Sequence, residues 1–238
     1  MSKHFYRLDN TLQFPSPSMA LRDPNGLLAF GGDLSAERLS LAYANGIFPW
    51  FSEGEPILWW SPDPRGILEL DDFICSKSLA KLARSHRYRI TLNTAFEAVI
   101  HHCASVPRDI NGTWITQPMV QAYIKLHQGG HAHSVEVWEE EHLVGGLYGV
   151  AIGRVFCGES MFHLQSNTSK LAFLHLVHYL QDKQFHFIDC QLQNPHLASL
   201  GVKEVSRAHF LQRLQQAVAQ PPAHDCWQAQ CLSKQPCP

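Results

Sequence analysis

Charge is scarce in this chain and nearly balanced. Lys and Arg number 19 and Asp and Glu 21 among 238 residues, a net charge of −2. That excludes a protein that coats nucleic acid over its whole surface, while leaving room for a local basic patch. No run approaches the roughly 20 apolar residues of a membrane span. The N-terminal stretch Met1 to Asn10 has no apolar core of signal-peptide length, so the expected compartment is the cytosol and no membrane partner is expected. No Cys-x-x-Cys pair occurs. The seven cysteines, in scattered and mostly apolar settings, suit a reducing compartment better than a disulfide framework. His101-His102-Cys103, His131-x-His133 and the Cys226, Cys231, Cys237 spacing match no zinc pattern, and neither metal nor cofactor is expected. Phosphate-loop and nucleophile-elbow motifs are missing, as are repeats and low-complexity segments.

What is present is apolar and aromatic. A hydrophobic content of 45% against 17% charged residues marks a well-buried globular chain, long enough for one large domain or two unequal ones. Ile47-Phe48-Pro49-Trp50-Phe51 and Trp59-Trp60-Ser61-Pro62-Asp63-Pro64-Arg65 crowd rings together without a helical or strand period. Interleaved prolines deny that stretch a long helix or a central strand, so its rings are expected on loops and short turns. There they can wall a pocket, stack on a base, or simply pack the loop.

Between Phe73 and Phe96 stand five cations (Lys77, Lys81, Arg84, Arg87 and Arg89) and no acid. Lys77, Lys81 and Arg84 share one helical face about 10 Å long, enough for two successive phosphates or for an ordinary solvated surface.

Turn signals fill the first third of the chain. A helix capped by Ser35 ends at Asn45-Gly46, and Pro62 to Pro64 makes a stiff joint, which divides the chain into a small α+β domain over 1–63 and a larger one over 64–238. Beyond the joint, helices are expected over Ser76 to His86, Thr94 to Ala104, Gln117 to Gln128, Ser169 to Lys183 and Ser206 to Ala219. Strands are expected over Tyr88 to Asn93, His133 to Trp138, Leu143 to Ile152, Arg154 to Glu159 and Phe185 to Leu192. The Pro-rich tail after Gln220 shows no period. Helices flanking a sheet led by antiparallel strands indicate an α+β core.

Asp189 and Gln191 form the sharpest chemical pair. Strand alternation puts both on one face, opposite Ile188, Cys190 and Leu192, at the end of an apolar strand. A carboxylate and an amide so placed can orient and deprotonate an amine, or cap a turn. Glu159 is a lone acid among apolar neighbours, costly to desolvate without a cationic partner, which a basic substrate group would supply. Gly145-Gly146-Leu147-Tyr148-Gly149 can admit a ligand to the backbone or mark a bulge. Phe173, Leu176 and Leu180 line one helical face, as pocket wall or as core.

These motifs occur in an order that resembles the leucyl/phenylalanyl-tRNA-protein transferases. The likeness runs from Phe14-Pro15-Ser16-Pro17, Pro24-Asn25-Gly26 and Gly31-Gly32-Asp33 through the aromatic stretch. It continues in Gly112-Thr113-Trp114-Ile115-Thr116, Gly145 to Gly149, Phe156 to Phe162 and Ile188-Asp189-Cys190-Gln191. The resemblance implies a C-terminal domain similar to the acetyltransferase (GNAT) fold, in a cytoplasmic monomer. The implied reaction moves Leu or Phe, and less well Met, from aminoacyl-tRNA to the N-terminal Lys or Arg of a protein, marking it for degradation through the N-end rule.

In that reading Asp189 orients Gln191, which positions the attacking amine, and Glu159 reads the acceptor's basic side chain. Leu147, Phe156, Phe173, Leu176, Leu180 and Ile188 form the aminoacyl pocket, while Tyr43, Trp50, Trp114 and Tyr123 surround the terminal adenosine. Lys77, Lys81, Arg84 and Arg87 become the tRNA patch. An acyl-CoA acetyltransferase would need a Gln/Arg-x-x-Gly-x-Gly/Ala loop, and no position fits it. A plain RNA-binding module would leave Asp189, Gln191 and Glu159 without a purpose.

Overall fold

A computed structural model describes residues 6–105, 114–223 and 225–233. The first sheet joins β1 (Tyr6–Leu8), β2 (Leu27–Gly31), β4 (Leu58–Trp60) and β3 (Phe48–Pro49) in that order, with α1 (Ala36–Ala44) between β2 and β3. Ser35 caps α1 by accepting from the Arg38 amide at 3.3 Å. Trp59 and Trp60 are therefore on a strand paired along both edges, and the expectation of loops and turns is corrected there. The prolines lie just outside β4 or, as Pro49 does, in the edge strand β3, where a missing N–H is tolerated.

The second sheet has eight strands in the order β11 (Lys203–Val205), β5 (Arg65–Glu69), β10 (Phe187–Gln191), β9 (Val155–His163), β8 (His142–Ile152), β7 (Ala132–Glu139), β6 (Arg89–Leu92), β12 (Gln230–Cys231). Pairing is antiparallel except between β9 and β10, which α5 (Thr168–Asp182) connects. Two helical layers cover it. A Cβ on Gly145 would lie 2.4 Å from Thr168 of α5, and one on Gly146 would lie 3.3 Å from Val99 of α3 (Phe96–Ser105). Adjacent strand residues face opposite ways, so α5 and α3 pack on opposite faces of β8. These two glycines admit helices rather than a ligand, which closes one alternative left open by the sequence.

α2 (Lys77–Arg84) and α5 share one core with Leu68, Val135, Leu147 and Ile188. α3, α4 (Gln117–Gln128) and α7 (Arg207–Val218) share the other with the small sheet. Covered on both sides, β7 buries even the polar half of its alternation. Glu136 is fully buried, accepting from Thr91, Thr94 and Ser134.

Side chains stitch the two sheets together. The Arg207 guanidinium donates to the Ser61 carbonyl at 2.6 Å, and its amide to Asp63 at 3.0 Å. Trp59, by contrast, donates to the Gly31 carbonyl and packs on Phe14 within the small sheet.

Residues 225–233 of the tail are anchored to the large sheet, which their composition does not announce. Trp227 stacks on His133 at 3.9 Å and lies beside Phe156, Tyr179 and Phe185, while β12 extends the sheet at β6. No period announces this, because one indole and a two-residue strand do the anchoring. Trp227→Ala should cost about 3 kcal/mol, read as a lower denaturant midpoint with unchanged slope.

Candidate active site

A cavity of about 410 Å³ opens at the end of β9 and β10, between the two sheets. Phe48, Pro49 and Trp50 wall it from the small sheet, and Leu147, Phe156, Phe173 and Leu176 from the large one. Glu159 and Gln191 supply polar groups. Asn194, His196 and Leu197, around the short helix α6 (Pro195–Ala198), form its rim.

Behind it lies a buried ion pair. Arg65 Nε and Nη2 donate to the two oxygens of Asp189 at 2.8 and 2.7 Å, and both side chains are 1% exposed. Arg65 Nη1 donates to the Gly46 carbonyl at 3.1 Å, and the guanidinium lies between the rings of Phe48 and Phe210 at 4.9 and 4.4 Å. Two charges so deep require this full set of partners, since either one alone would be costly to desolvate.

Asp189 also accepts from the Gln191 backbone amide at 3.0 Å. The register of β10 against β5 shifts between these residues, and Gln191 takes a left-handed φ of 57°. For a residue with a Cβ that conformation costs about 1 kcal/mol, offset by the bonds that hold it. The bulge corrects the simple alternation: Asp189 turns back to Arg65, while Cys190 and Gln191 both line the cavity.

Gln191 Nε2 donates to Glu159 Oε1 at 3.1 Å, and the Tyr123 hydroxyl donates to Glu159 Oε2 at 3.0 Å. Tyr123 in turn shares a short hydrogen bond with Tyr43 of α1. The described residues around Glu159 thus give it hydroxyl and amide partners rather than a cation. Burial pushes its carboxyl up to about 7, against the pull of the two tyrosine hydroxyls. Burial likewise raises both tyrosines well above their usual range, so they remain protonated donors.

The expected site residues divide as follows. Leu147, Phe156, Phe173 and Leu176 line the cavity, but Leu180 and Ile188 are fully buried in the core behind it. Trp50 and Trp114 line it too, and Trp50 is 44% exposed, with its carbonyl accepting from Trp60 Nε1. Tyr43 and Tyr123 do not present ring faces to it: at 1% and 0% exposure they serve the site through Glu159. Gly112 and Thr113 lie outside the described residues.

Lys77, Lys81, Arg84 and Arg87 are all exposed on and just beyond α2, with Arg87 paired to Glu139 at 2.7 Å. Among the described residues no group of His, Cys, Asp and Glu is arranged to hold a metal ion, and no helix is long and apolar enough to cross a membrane. Sequence reasoning missed Arg65 as a partner for Asp189. The available signal was Arg65 itself, a cation directly after a stiff proline joint in an apolar strand.

The chain matches known proteins along most of its length. Residues 67–215 match the family model for leucyl/phenylalanyl-tRNA protein transferase, and residues 32–63 match the model for its N-terminal domain. A leucyl/phenylalanyl-tRNA-protein transferase of Pseudoalteromonas atlantica is 60% identical over 93% of this chain and 95% of its own length. Another from Tolumonas auensis is 52% identical over 98% and 100%. A solved structure of L-PGS from Bacillus licheniformis matches at a TM-score of 0.38 and 13% identity, over 67% of this chain and 51% of that one, too loosely to carry weight.

The chain belongs to the leucyl/phenylalanyl-tRNA-protein transferase family. It is an enzyme, an aminoacyltransferase whose family name implies tRNA and protein substrates.

The Glu159 carboxyl has a testable signature. Folded, it binds its proton up to about pH 7, whereas an ordinary carboxyl releases it near 4.5. Between those values the native state holds more protons, so stability falls as pH rises through this window. Glu159→Gln removes that dependence, so the difference in melting temperature, variant minus parent, should grow from pH 5 to pH 8.

Proposed function

We propose that this enzyme moves Leu or Phe, and less well Met, from aminoacyl-tRNA onto the N-terminal Lys or Arg of acceptor proteins. The new N-terminus then marks the acceptor for degradation through the N-end rule. The observation that carries this reading is the polarity of the cavity: an apolar wall of Leu147, Phe156, Phe173 and Leu176 meets a Gln191–Glu159 pair. A side chain that is unbranched or branched at Cγ suits such a wall, whereas branching at Cβ brings bulk next to the reacting carbonyl.

The acceptor's α-amine, with an ordinary pKa of about 8, is partly neutral at physiological pH. It attacks the ester carbonyl of the charged adenosine. A C–N bond forms, the bond from the carbonyl carbon to the tRNA oxygen breaks, and that oxygen leaves with the amine's proton. Positioning supplies much of the acceleration. Gln191 holds the amine, and Glu159, when ionised, pairs with the basic side chain of the acceptor. Asp189 positions Gln191 rather than taking the proton, because Arg65 and the Gln191 amide already occupy its oxygens. Trp50 and Trp114 flank the adenosine. Lys77, Lys81, Arg84 and Arg87 meet the tRNA backbone. The protein acts as a cytoplasmic monomer, with residues 1–63 as a small domain and 64–238 as a GNAT-like one.

Purified protein should transfer labelled Leu from charged tRNA to a peptide beginning with Arg and leave one beginning with Glu unlabelled. Transfer from acetyl-CoA, or tRNA binding without transfer, would contradict the proposal. Asp189→Asn should lower turnover while sparing tRNA affinity. Lys81→Ala with Arg84→Ala should weaken tRNA binding and flatten its log-log salt dependence by about 1 per lost phosphate contact.

A further inference from the structure

A second cavity, of about 710 Å³, lies on the other face of α5. Successive helical residues turn by about 100°, so Leu171, Leu174, His175 and His178 point away from Phe173 and Leu176, which line the first cavity. The remaining walls come from the end of α2 and the turn after it, and from Gln230 to Ser233 of the tail.

The charge of this cavity is lopsided. Arg84, His86, Arg87, His175, His178 and Lys183 line it, and Asp182 is the one acid among its described lining residues. Glu139 answers Arg87 from outside the lining, which leaves Arg84 and Lys183 as permanent positive charges facing a concave, half-apolar space. Such a space focuses positive potential far more than a convex surface carrying the same groups. His175 is held neutral by burial and by neighbouring His178, with its pKa pushed down to about 4, so at neutral pH its ring offers an N–H rather than a charge. Cations with a neutral ring donor and the Ser233 hydroxyl beside them suit an oxyanion with several acceptor atoms.

The geometry points to a phosphate site: this cavity takes a phosphate group between Arg84 and Lys183, with the imidazoles of His175 and His178 as further partners. Arg84 is shared with the tRNA patch proposed above, whereas Lys183, His175 and His178 are not, and the site stands whether or not the amino-acid transfer is correct. The phosphate has two possible sources, a free small phosphate compound or the backbone of an RNA strand that continues past Lys77 and Lys81.

The test is a titration of the full chain with inorganic phosphate and with AMP, followed through the ring resonances of His175 and His178. Both rings should shift saturably. His178→Ala with Lys183→Ala, two exposed positions, should weaken phosphate binding about tenfold, as expected for losing one charge-assisted hydrogen bond. Uncharged tRNA is then added. If it displaces the phosphate, the site reads the RNA backbone; if phosphate stays bound, the site serves a free phosphate compound. Either result supports a phosphate site. Unmoved histidine resonances, or an affinity unchanged in the double variant, would overturn it. Transfer of Leu to the Arg peptide, measured without competing anion, reports on the reaction separately.

Discussion

Arg65 and Asp189 enter the interior as a pair or not at all. In water each is solvated cheaply. Buried, each needs the other, together with the Gly46 carbonyl, the Gln191 amide and the two ring faces around the guanidinium. A pair of this kind adds little net stability, because desolvation offsets most of the attraction. What it fixes is geometry. Arg65 begins the large sheet, Gly46 ends the helix of the small one, and Phe48 begins the wall that leads to Trp50. One guanidinium thus sets the spacing between the two halves of the cavity. The carboxylate it holds accepts from the Gln191 amide at the bulge of β10, where Gln191 lines the cavity.

The fold was legible wherever one local rule governs a segment. Ser35, Ser76 and Ser206 cap their helices as their positions suggest, and α4 runs from Gln117 to Gln128 because Pro118 suits its first turn and Gly129-Gly130 follows. Where partners come from far along the chain, sequence reading fails. Trp59 and Trp60 sit among prolines, yet strand pairing with residues 27–30 and 48–49 places them in a sheet. Ser134 and Glu136 alternate with valines as a half-exposed strand would, but helices cover both faces. The tail is held by Trp227 against His133, a contact nearly a hundred residues distant with no periodic signature.

The site divides the same way. Gln191 and Glu159 were visible as polar residues stranded in apolar runs, and four of the six expected apolar residues do line the cavity. The bulge was not visible, because it depends on Asp189 finding Arg65 across 124 positions. Tyr43 and Tyr123 drew attention as aromatics, which hid the fact that their hydroxyls matter here and their rings do not reach the cavity.

The chain of contacts from Tyr43 through Tyr123 to Glu159 joins three segments, α1, α4 and β9, and α1 belongs to the N-terminal part of the chain that carries the first sheet. The proton affinity of a carboxylate in the cavity is therefore partly written in a helix that forms no part of the cavity wall. The helix next to the small sheet thus helps set the electrostatics of the cavity as well as supporting it. A separately expressed large domain could keep every cavity residue it contributes and still titrate as a different acid.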